Sequence, residues 1–537
     1  MSAARPCSLQ PCSIWDMWLT GGAKHKAKAV ANHYGKSAVK TSLFHFLWGK
    51  ALNAMVSLTT LVVLARWLSP ADYGVYIAFL ALQATLLAVS NLGIDTTAER
   101  FMPELRMRHS DSDLLGFVAT VLFARIATLF LLVGTGWVFA ENITALVGLS
   151  PQSELFKLWL CVVSLTGLLA FAVVLLEAML HQRQAQISMS VYVVIKLLLL
   201  LLLLAGWQVT EVNTHLVIQI ELMATGAAAF MSVVLLLSHF SRVGLHSGWT
   251  IVKTHRHRLQ RFALFNYVAQ VVFQLFNAEA MKLLVTRLSG VLQSAVYGFT
   301  YSLADTVQRY LPAVLLLRLI KPVFVSQYVK TGDFGQLNAM ARLILKLNLL
   351  VLTPGIALAA VYGSDILGWI SGGKYAEGHW LFVGILSLLV LTSHQLVLSL
   401  LAGTLEKNTM QLYAGLVSTI AFPCALWLVP HWGPLGAVAA SAIGGLTYNL
   451  FASYYLRRKG FAYQPDTHGI AIFLLAGVVM YAILIIINKL QNGALNFVAG
   501  IIIATFTYCL IIKSRDAFSN TERNLINSLL PRKIFFL

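Results

Sequence analysis

Five basic side chains stand inside long apolar stretches, where charge is costly: Lys50, Arg125, Lys196, Lys282 and Arg309. Four acids share that setting: Glu177, Glu221, Glu279 and Asp305. Ionisable groups within membrane-spanning helices usually face a bundle interior or a wet cavity, because hydrocarbon does not solvate them. Cations so placed supply charge-assisted hydrogen bonds to phosphates or acidic sugars; an acid there is a candidate carrier of a coupling ion. Asp305 and Arg309 lie four apart on one helix face, and Glu279 and Lys282 three apart. Each of these pairs can neutralise itself as well as line a cavity. Lys50 has no acid within a turn and shares a face with Asn53 and Ser57, so it reads as a cavity-facing cation. Arg125 and Lys196 also lack a local acid and lie near mid-span, where snorkelling to the interface is hardest; both read as substrate contacts. Glu221 reads either as an ion-coupling carboxylate or as the partner of Lys196 or of another helix's cation. Glu177, near the end of its span, reads as solvated. Tyr297, Tyr301 and Trp48 can stack on sugar faces, or can serve as packing and interface anchors. His45 and His394 read as hydrogen-bonded interior histidines.

Composition defines the elements that must position these residues. Of 537 residues, 58% are hydrophobic and 11% charged, where a soluble globular protein carries about 25% charged residues. That shortfall, with a mean hydropathy of +0.75, excludes a soluble enzyme, a disordered tail protein and a disulfide scaffold. A membrane helix needs about 20 apolar residues to cross roughly 30 Å of hydrocarbon. Fourteen such runs are found: 43–65, 74–93, 115–139, 156–178, 187–206, 213–237, 263–285, 293–317, 343–363, 380–402, 410–429, 434–456, 469–488 and 494–512. Barrel strands alternate apolar and polar residues; the run KLLLLLLLLA at 196–205 does not. The expected fold is an all-α polytopic membrane protein. Five scattered cysteines, Cys7, Cys12, Cys161, Cys424 and Cys509, imply neither a disulfide framework nor a metal site. The first forty residues are polar and lack a secretory signal's apolar core. They are expected to form a cytoplasmic tail, with Met17 as an alternative initiator.

Basic residues set the expected orientation. Cytoplasmic loops collect Lys and Arg. With the N-terminus inside, cytoplasmic segments hold 29 of the 39 basic residues and the opposite loops four: Arg66, Arg287, Lys374 and Lys489. Both termini are therefore expected to be cytoplasmic. Most of the net charge of +18 then encodes topology and anchors to anionic head groups, not to nucleic acid. The outward loops are short, the longest about sixteen residues, which leaves no domain to hold an acceptor. The sequence contains no P-loop, no HExxH, no paired-cysteine motif and no nucleophile elbow, so a transporter without cofactor or metal is expected, not an enzyme.

Four segments carry a resemblance to a known family. LARWLSPADYGVY at 64–76, LGIDTTAERFMPEL at 92–105 with Arg100 and Phe101, SGGKYAEG at 371–378 with Gly373, Lys374 and Tyr375, and the stretch from LVPHWGPLGAV to YYLRRK at 428–459 resemble, in order and spacing, the polysaccharide flippases of the multidrug/oligosaccharidyl-lipid/polysaccharide exporter superfamily. The resemblance covers roughly 43–512; the long N-tail departs from it. It implies two six-helix lobes around a central cavity, followed by two further helices. The expected segments are a tail at 1–42, an N-lobe at 43–237, a basic linker at 238–262, a C-lobe at 263–456, two extra spans at 457–512 and a tail at 513–537. A short internal match supports two lobes: 64–76 and 284–297 (LVTRLSGVLQSAVY) occupy equivalent positions six spans apart, as homologous halves do.

The function implied is translocation of a polyprenyl-diphosphate-linked oligosaccharide across the bacterial inner membrane by alternating access, with a glycan polymerase and chain-length machinery as further partners. Lys50, Arg125, Lys196, Lys282 and Arg309 would form a cationic cavity, with Asn53, Asp305 and Glu279 as supporting polar groups and Glu221 as the coupling candidate. Two alternatives stand: a multidrug/cation antiporter of the same superfamily, and a membrane glycan polymerase or ligase.

Overall fold

The computed structural model describes residues 36–519 except 109, 207–211, 241–248, 275–276, 313, 315–327, 329–331, 408 and 491–493, and in addition 522, 523 and 527. The described chain is helical, with a lone bridge between Leu68 and Val212. The helices are α1 (Lys36–Trp67), α2 (Pro70–Ser90), α3 (Ile94–Arg108), α4 (Asp111–Val138), α5 (Ala140–Val147), α6 (Ser153–Ala178), α7 (Gln182–Gly206), α8 (Thr214–Ser238), α9 (Trp249–Gln274), α10 (Ala278–Ser289), α11 (Val291–Arg309), α12 (Phe334–Ser371), α13 (His379–Thr404), α14 (Thr409–Ser418), α15 (Ala421–Trp432), α16 (Pro434–Arg458), α17 (Thr467–Leu490) and α18 (Ala494–Ser514). Ten of the described spans are long and apolar enough to cross a membrane. Every predicted span falls on one helix or on two halves of one.

Local chemistry explains several boundaries. Ser69 caps α2, its hydroxyl accepting from the Asp72 amide at 3.0 Å, with Pro70 at the first helical position, where its missing N–H is no loss. Ser110 and Asp113 form a reciprocal capping box at the start of α4. Asn277 caps α10 by accepting from the amides of Glu279 and Ala280. Three features differ from the predicted spans. Residues 249–262 of the expected basic linker 238–262 form the front of α9. The seventh span is interrupted at Asn277, whose backbone is extended, and the eleventh by a turn at 419–420. Between the second and third spans lies an extra helix, α3, whose charged residues gave it no apolar run to detect.

Packing divides the chain into halves. α1 lies against α7, and α6 against α8 and α4; in the second half α13 packs on α12 and α16, and α14 and α15 on α16. The halves meet where α2 crosses α10 and α11. That crossing is close because a Cβ on Gly74 would overlap the Val291 carbonyl and one on Gly298 would overlap Ile77; small residues let apolar helices approach in this way. The paired helices α17 and α18 attach through α17 to α12. Within the bundle, Thr353 of α12 and Tyr508 of α18 share a hydrogen bond of 2.6 Å.

A buried cation fastens the chain beyond α18. Lys346 of α12 is 2% exposed and meets Asp466 Oδ2 at 2.5 Å and Glu522 Oε2 at 2.8 Å. Phe518, fully buried, packs on Phe473. Burial opposes ionisation of Asp466, but the Gly469 amide, Lys346 and Arg342 hold its pKa below the ordinary carboxylate value. A depressed carboxylate stabilises above its unfolded pKa and loses that contribution as pH falls through its folded value. This clasp is therefore expected to be insensitive to pH between about 5 and 8. Replacing Lys346 with Met strands two carboxylates, and losing one member of a buried ion pair costs about 3–5 kcal/mol. Thermal unfolding in detergent is expected to show a clear loss for Lys346→Met and a smaller one for Glu522→Gln, which leaves Asp466 as partner.

Candidate functional site

The first half holds a charged cluster on a cavity wall. Lys196 of α7 lies 2.5 Å from Glu221 Oε1 of α8 and donates to the Tyr76 hydroxyl of α2 at 2.8 Å. Tyr76 donates in turn to Glu221 Oε1 at 2.7 Å, and Tyr192 of α7 donates to Glu221 Oε2 at 2.9 Å. Both carboxylate oxygens and the ammonium are thus engaged by three helices. A cavity of about 160 Å³ borders the cluster, lined by Ser57, Thr60, Tyr73, Tyr76, Tyr192, Lys196 and Ser302 among others. Sequence reasoning left Glu221 between coupling and partnership; the structure places it against Lys196. Tyr76 and Tyr192 had no charge to betray them.

The second half holds a larger cavity of a different kind. About 440 Å³ in volume, it is lined by Asn277, Tyr301, Gln308, Thr392, Gln395, Ser418, Thr419, Ser441 and Tyr448, with small and aliphatic residues completing the wall. Glu279 and Lys282 of α10 do not line it. They pair with each other at 2.9 and 3.0 Å, and Lys282 sits 4.8 Å from the Tyr301 ring. Tyr297 is buried and stacks beside Tyr301 with 5.9 Å between centroids.

Arg125, Arg309, Asp305 and Asn53 do not line these cavities. Arg125 of α4 is 2% exposed with Asp95 of α3 at 3.9 Å, and its Nε and Nη1 have no hydrogen-bond partner among the described residues. Arg309 pairs with Asp305 at 2.7 Å but is 66% exposed at the end of α11, a setting in which an ion pair contributes little. Asn53 accepts from Ser190 at 2.8 Å, joining α1 to α7. Lys50 belongs to α1; its side chain, like those of His45 and Trp48, lies outside the described residues. His394 packs on Tyr463. No group of three or more His, Cys, Asp or Glu able to hold a metal occurs among the described residues.

Contacts join the two halves at both ends of the bundle. At the end poor in basic residues, Arg66 donates from Nε to the Ile370 carbonyl at 3.0 Å and from Nη2 to the Trp369 carbonyl at 2.5 Å. Lys374 answers by donating to the carbonyls of Arg66 at 2.5 Å and Leu68 at 2.8 Å. Beneath them Tyr73, Phe299 and Tyr375 form a triangle of rings 4.8–6.3 Å apart. At the basic end, Arg258 of α9 donates to both oxygens of Glu104 of α3 at 3.0 and 3.2 Å and covers Phe101. Tyr267 donates to the Val89 carbonyl at 2.9 Å, and Asn91 to Gln270 at 3.3 Å. Arg66 and Lys374 were visible in the sequence as two of only four basic residues assigned to the outward loops.

Comparison with known proteins places this geometry in a class. No family model matches the sequence, and no curated protein matches it. Among solved structures, the chain is similar to the lipid II flippase MurJ in an inward closed conformation, with a TM-score of 0.68, 13% identity, and 90% of this chain and 99% of the other covered. An inward-facing multidrug resistance MATE family transporter of the MOP superfamily gives 0.61 at 12% identity, covering 76% and 94%. A point mutant of the Vibrio cholerae MATE transporter VcmN gives 0.53 at 12% identity, covering 80% and 99%. The chain shares the fold of these solved structures, which are transporters and a flippase.

Removing both ties at the sparsely charged end is expected to shift the population towards an opened arrangement there. With spin labels on Ala71→Cys and Glu377→Cys, the Arg66→Ala, Lys374→Met double variant should show a longer and broader distance distribution than the parent. An unchanged distribution would mean that these hydrogen bonds do not hold that end closed.

Proposed function

We propose that this protein is a flippase that moves a polyprenyl-diphosphate-linked oligosaccharide repeat from the cytoplasmic to the outer face of a bacterial inner membrane, with both termini cytoplasmic. It would serve lipopolysaccharide, capsule or exopolysaccharide synthesis. The observation that carries this reading is the Lys196, Glu221, Tyr76 and Tyr192 cluster on a cavity wall within an apolar bundle. Placing Lys at the centre of a membrane helix costs about 2.5–3.5 kcal/mol, so a pair held there by three helices has a use beyond packing. Glu221 neutralises Lys196 while no substrate is present. A diphosphate entering the cavity competes for the ammonium, and a proton or other cation taken up by Glu221 releases Lys196 to it. Lys50, on the neighbouring α1, is the second cation proposed to face the substrate, with Lys282 as a third at the edge of the other half. The substrate's bonds are unchanged by transport, so no catalytic step is assigned.

The flanking helices suit a lipid-linked cargo. Residues 469–488 and 494–512 carry no charge, and α17 and α18 stand beside the second half through α12. The prenyl tail can stay against that uncharged surface while the polar head crosses inside. Alternation between the two ends supplies access, one half rocking on the other. A polymerase and chain-length proteins would act on the delivered repeat.

A cation antiporter is the second reading. The likeness to MATE transporters and the carboxylate of Glu221 favour it. The two readings part on Lys196: an anion carrier needs it and a cation carrier does not.

Single removal of Lys196 would leave Glu221 uncompensated, so the informative variant is Lys196→Met with Glu221→Gln, which keeps the site neutral. Its surface glycan is expected to fall about tenfold or more at normal protein abundance in the membrane, with the lipid-linked repeat accumulating on the cytoplasmic face. Full surface glycan in that variant would remove the anion-carrying role. Export of single repeats without chain growth on depletion of the protein would point instead to a polymerase.

A further inference from the structure

The two halves are not equivalent inside. With an offset of six spans, the seventh span corresponds to the first and the eleventh to the fifth. Their counterparts α1 and α7 run unbroken, whereas the seventh span divides into α9 and α10 at Asn277, whose backbone is extended, and the eleventh into α14 and α15 at a turn where Ile420 keeps a right-handed helical backbone. Non-helical backbone at membrane depth is tolerated where it is buried in protein or lines a water-filled cavity. Both breaks line the larger cavity: Asn277 and Ala278 at one, Ser418, Thr419 and Ala421 at the other.

That cavity has a consistent chemistry. Among the described residues no acidic or basic side chain lines it, so an ion seated there would meet no counter-charge from them, an arrangement that costs heavily away from water. Its wall carries amides, hydroxyls and two tyrosines. No side-chain hydrogen bond within the described residues engages Gln308, Gln395 or Ser441, so their donors and acceptors turn to whatever fills the space. Sugar hydroxyls both donate and accept, and each amide offers both functions in return. Tyr301 and Tyr448 supply ring faces with polar tips. The volume of about 440 Å³ falls in the roughly 300–1,000 Å³ range of small-ligand pockets. On α11 the consecutive residues Tyr301 and Ser302 line the larger and smaller cavities respectively, so this helix stands between a neutral chamber and a charged one.

We infer that the cavity between the two broken helices is the subsite for the uncharged sugar rings of the cargo, and that it selects the glycan while the Lys196 cluster receives the diphosphate. This division of labour rests on the flippase reading above.

A thiol-protection experiment tests it separately from that reading. In full-length protein with its native cysteines replaced by Ser, reconstituted in liposomes, Ser441→Cys reports on the larger cavity and Ser57→Cys on the smaller. The probes are polyprenyl diphosphate without sugar and the same lipid bearing a neutral disaccharide. Both lipids are expected to slow modification of Cys at 57 by a permeant thiol reagent. Only the disaccharide lipid should slow it at 441, by about tenfold, and adding Gln395→Leu should abolish that protection while leaving position 57 protected. Equal protection at 441 by the sugar-free lipid overturns the sugar subsite. So does protection confined to 57 with both lipids, and in that case the flippase reading stands. Protection at neither position by either lipid overturns both.

Discussion

Taking an ammonium or a carboxylate out of water costs several kcal/mol unless a counter-charge and hydrogen bonds meet it, and that cost organises this bundle. Lys196 is held by Glu221 and two tyrosines, Lys282 by Glu279, and Lys346 by Asp466 and Glu522. Each arrangement fastens a different part of the molecule. The first ties α2, α7 and α8, the second stays within α10 beside Tyr301, and the third clasps the chain after α18 onto α12. Arg125 is the exception: it is as deeply buried as any of them, yet Asp95 stands 3.9 Å away. The proposed transport of a charged lipid requires an internal counter-ion to be exchanged for the cargo, and of these sites the Lys196 cluster combines full engagement with a cavity beside it.

The second organising feature is the difference between halves that share a plan. α2 and α11 cross through Gly74 and Gly298, each half following an arginine in the last turn of the preceding helix, Arg66 in α1 and Arg287 in α10. On that common frame the first half keeps its helices whole and builds a small charged chamber. The second half breaks two helices and builds a large neutral one. The ends are joined by unlike means: backbone carbonyls captured by Arg66 and Lys374 at one, and α9 leaning on α3 through Arg258 and Glu104 at the other. Hydrogen bonds of these kinds are individually modest, so both joins are suited to being remade in turn.

Much of the fold was legible because apolar runs of membrane length leave few other structures open. The predicted spans fall on observed helices, and the superfamily resemblance read from short segments at 64–76, 92–105, 371–378 and 428–459 agrees with the fold of the structural neighbours. The interruptions at Asn277 and at 419–420 were not legible, since hydropathy does not sense where helical hydrogen bonding is interrupted. α3 gives no hydropathy signal because its charges leave it no apolar run, and the helical conformation of 249–262 is hidden for the same reason. At the site, the helix-local pairs Asp305–Arg309 and Glu279–Lys282 could be read from spacing. The contacts Lys196–Glu221 and Arg125–Asp95 could not, because they join separate helices whose relative rotation only packing sets. The neutral cavity was invisible for a related reason: Gln308, Gln395 and Ser441 are unremarkable until they face the same space.

The polar interior is proposed to carry an anionic lipid-linked glycan and not a free cation. Reconstituted proteoliposomes loaded with a polyprenyl-diphosphate-linked oligosaccharide test it directly, with the glycan's arrival on the opposite leaflet read by lectin access and efflux of a lipophilic cation measured in parallel. The account predicts protein-dependent arrival of the glycan, lost when Lys196→Met is combined with Glu221→Gln, and no cation efflux above protein-free liposomes. Cation efflux with the glycan remaining on its original leaflet would contradict it.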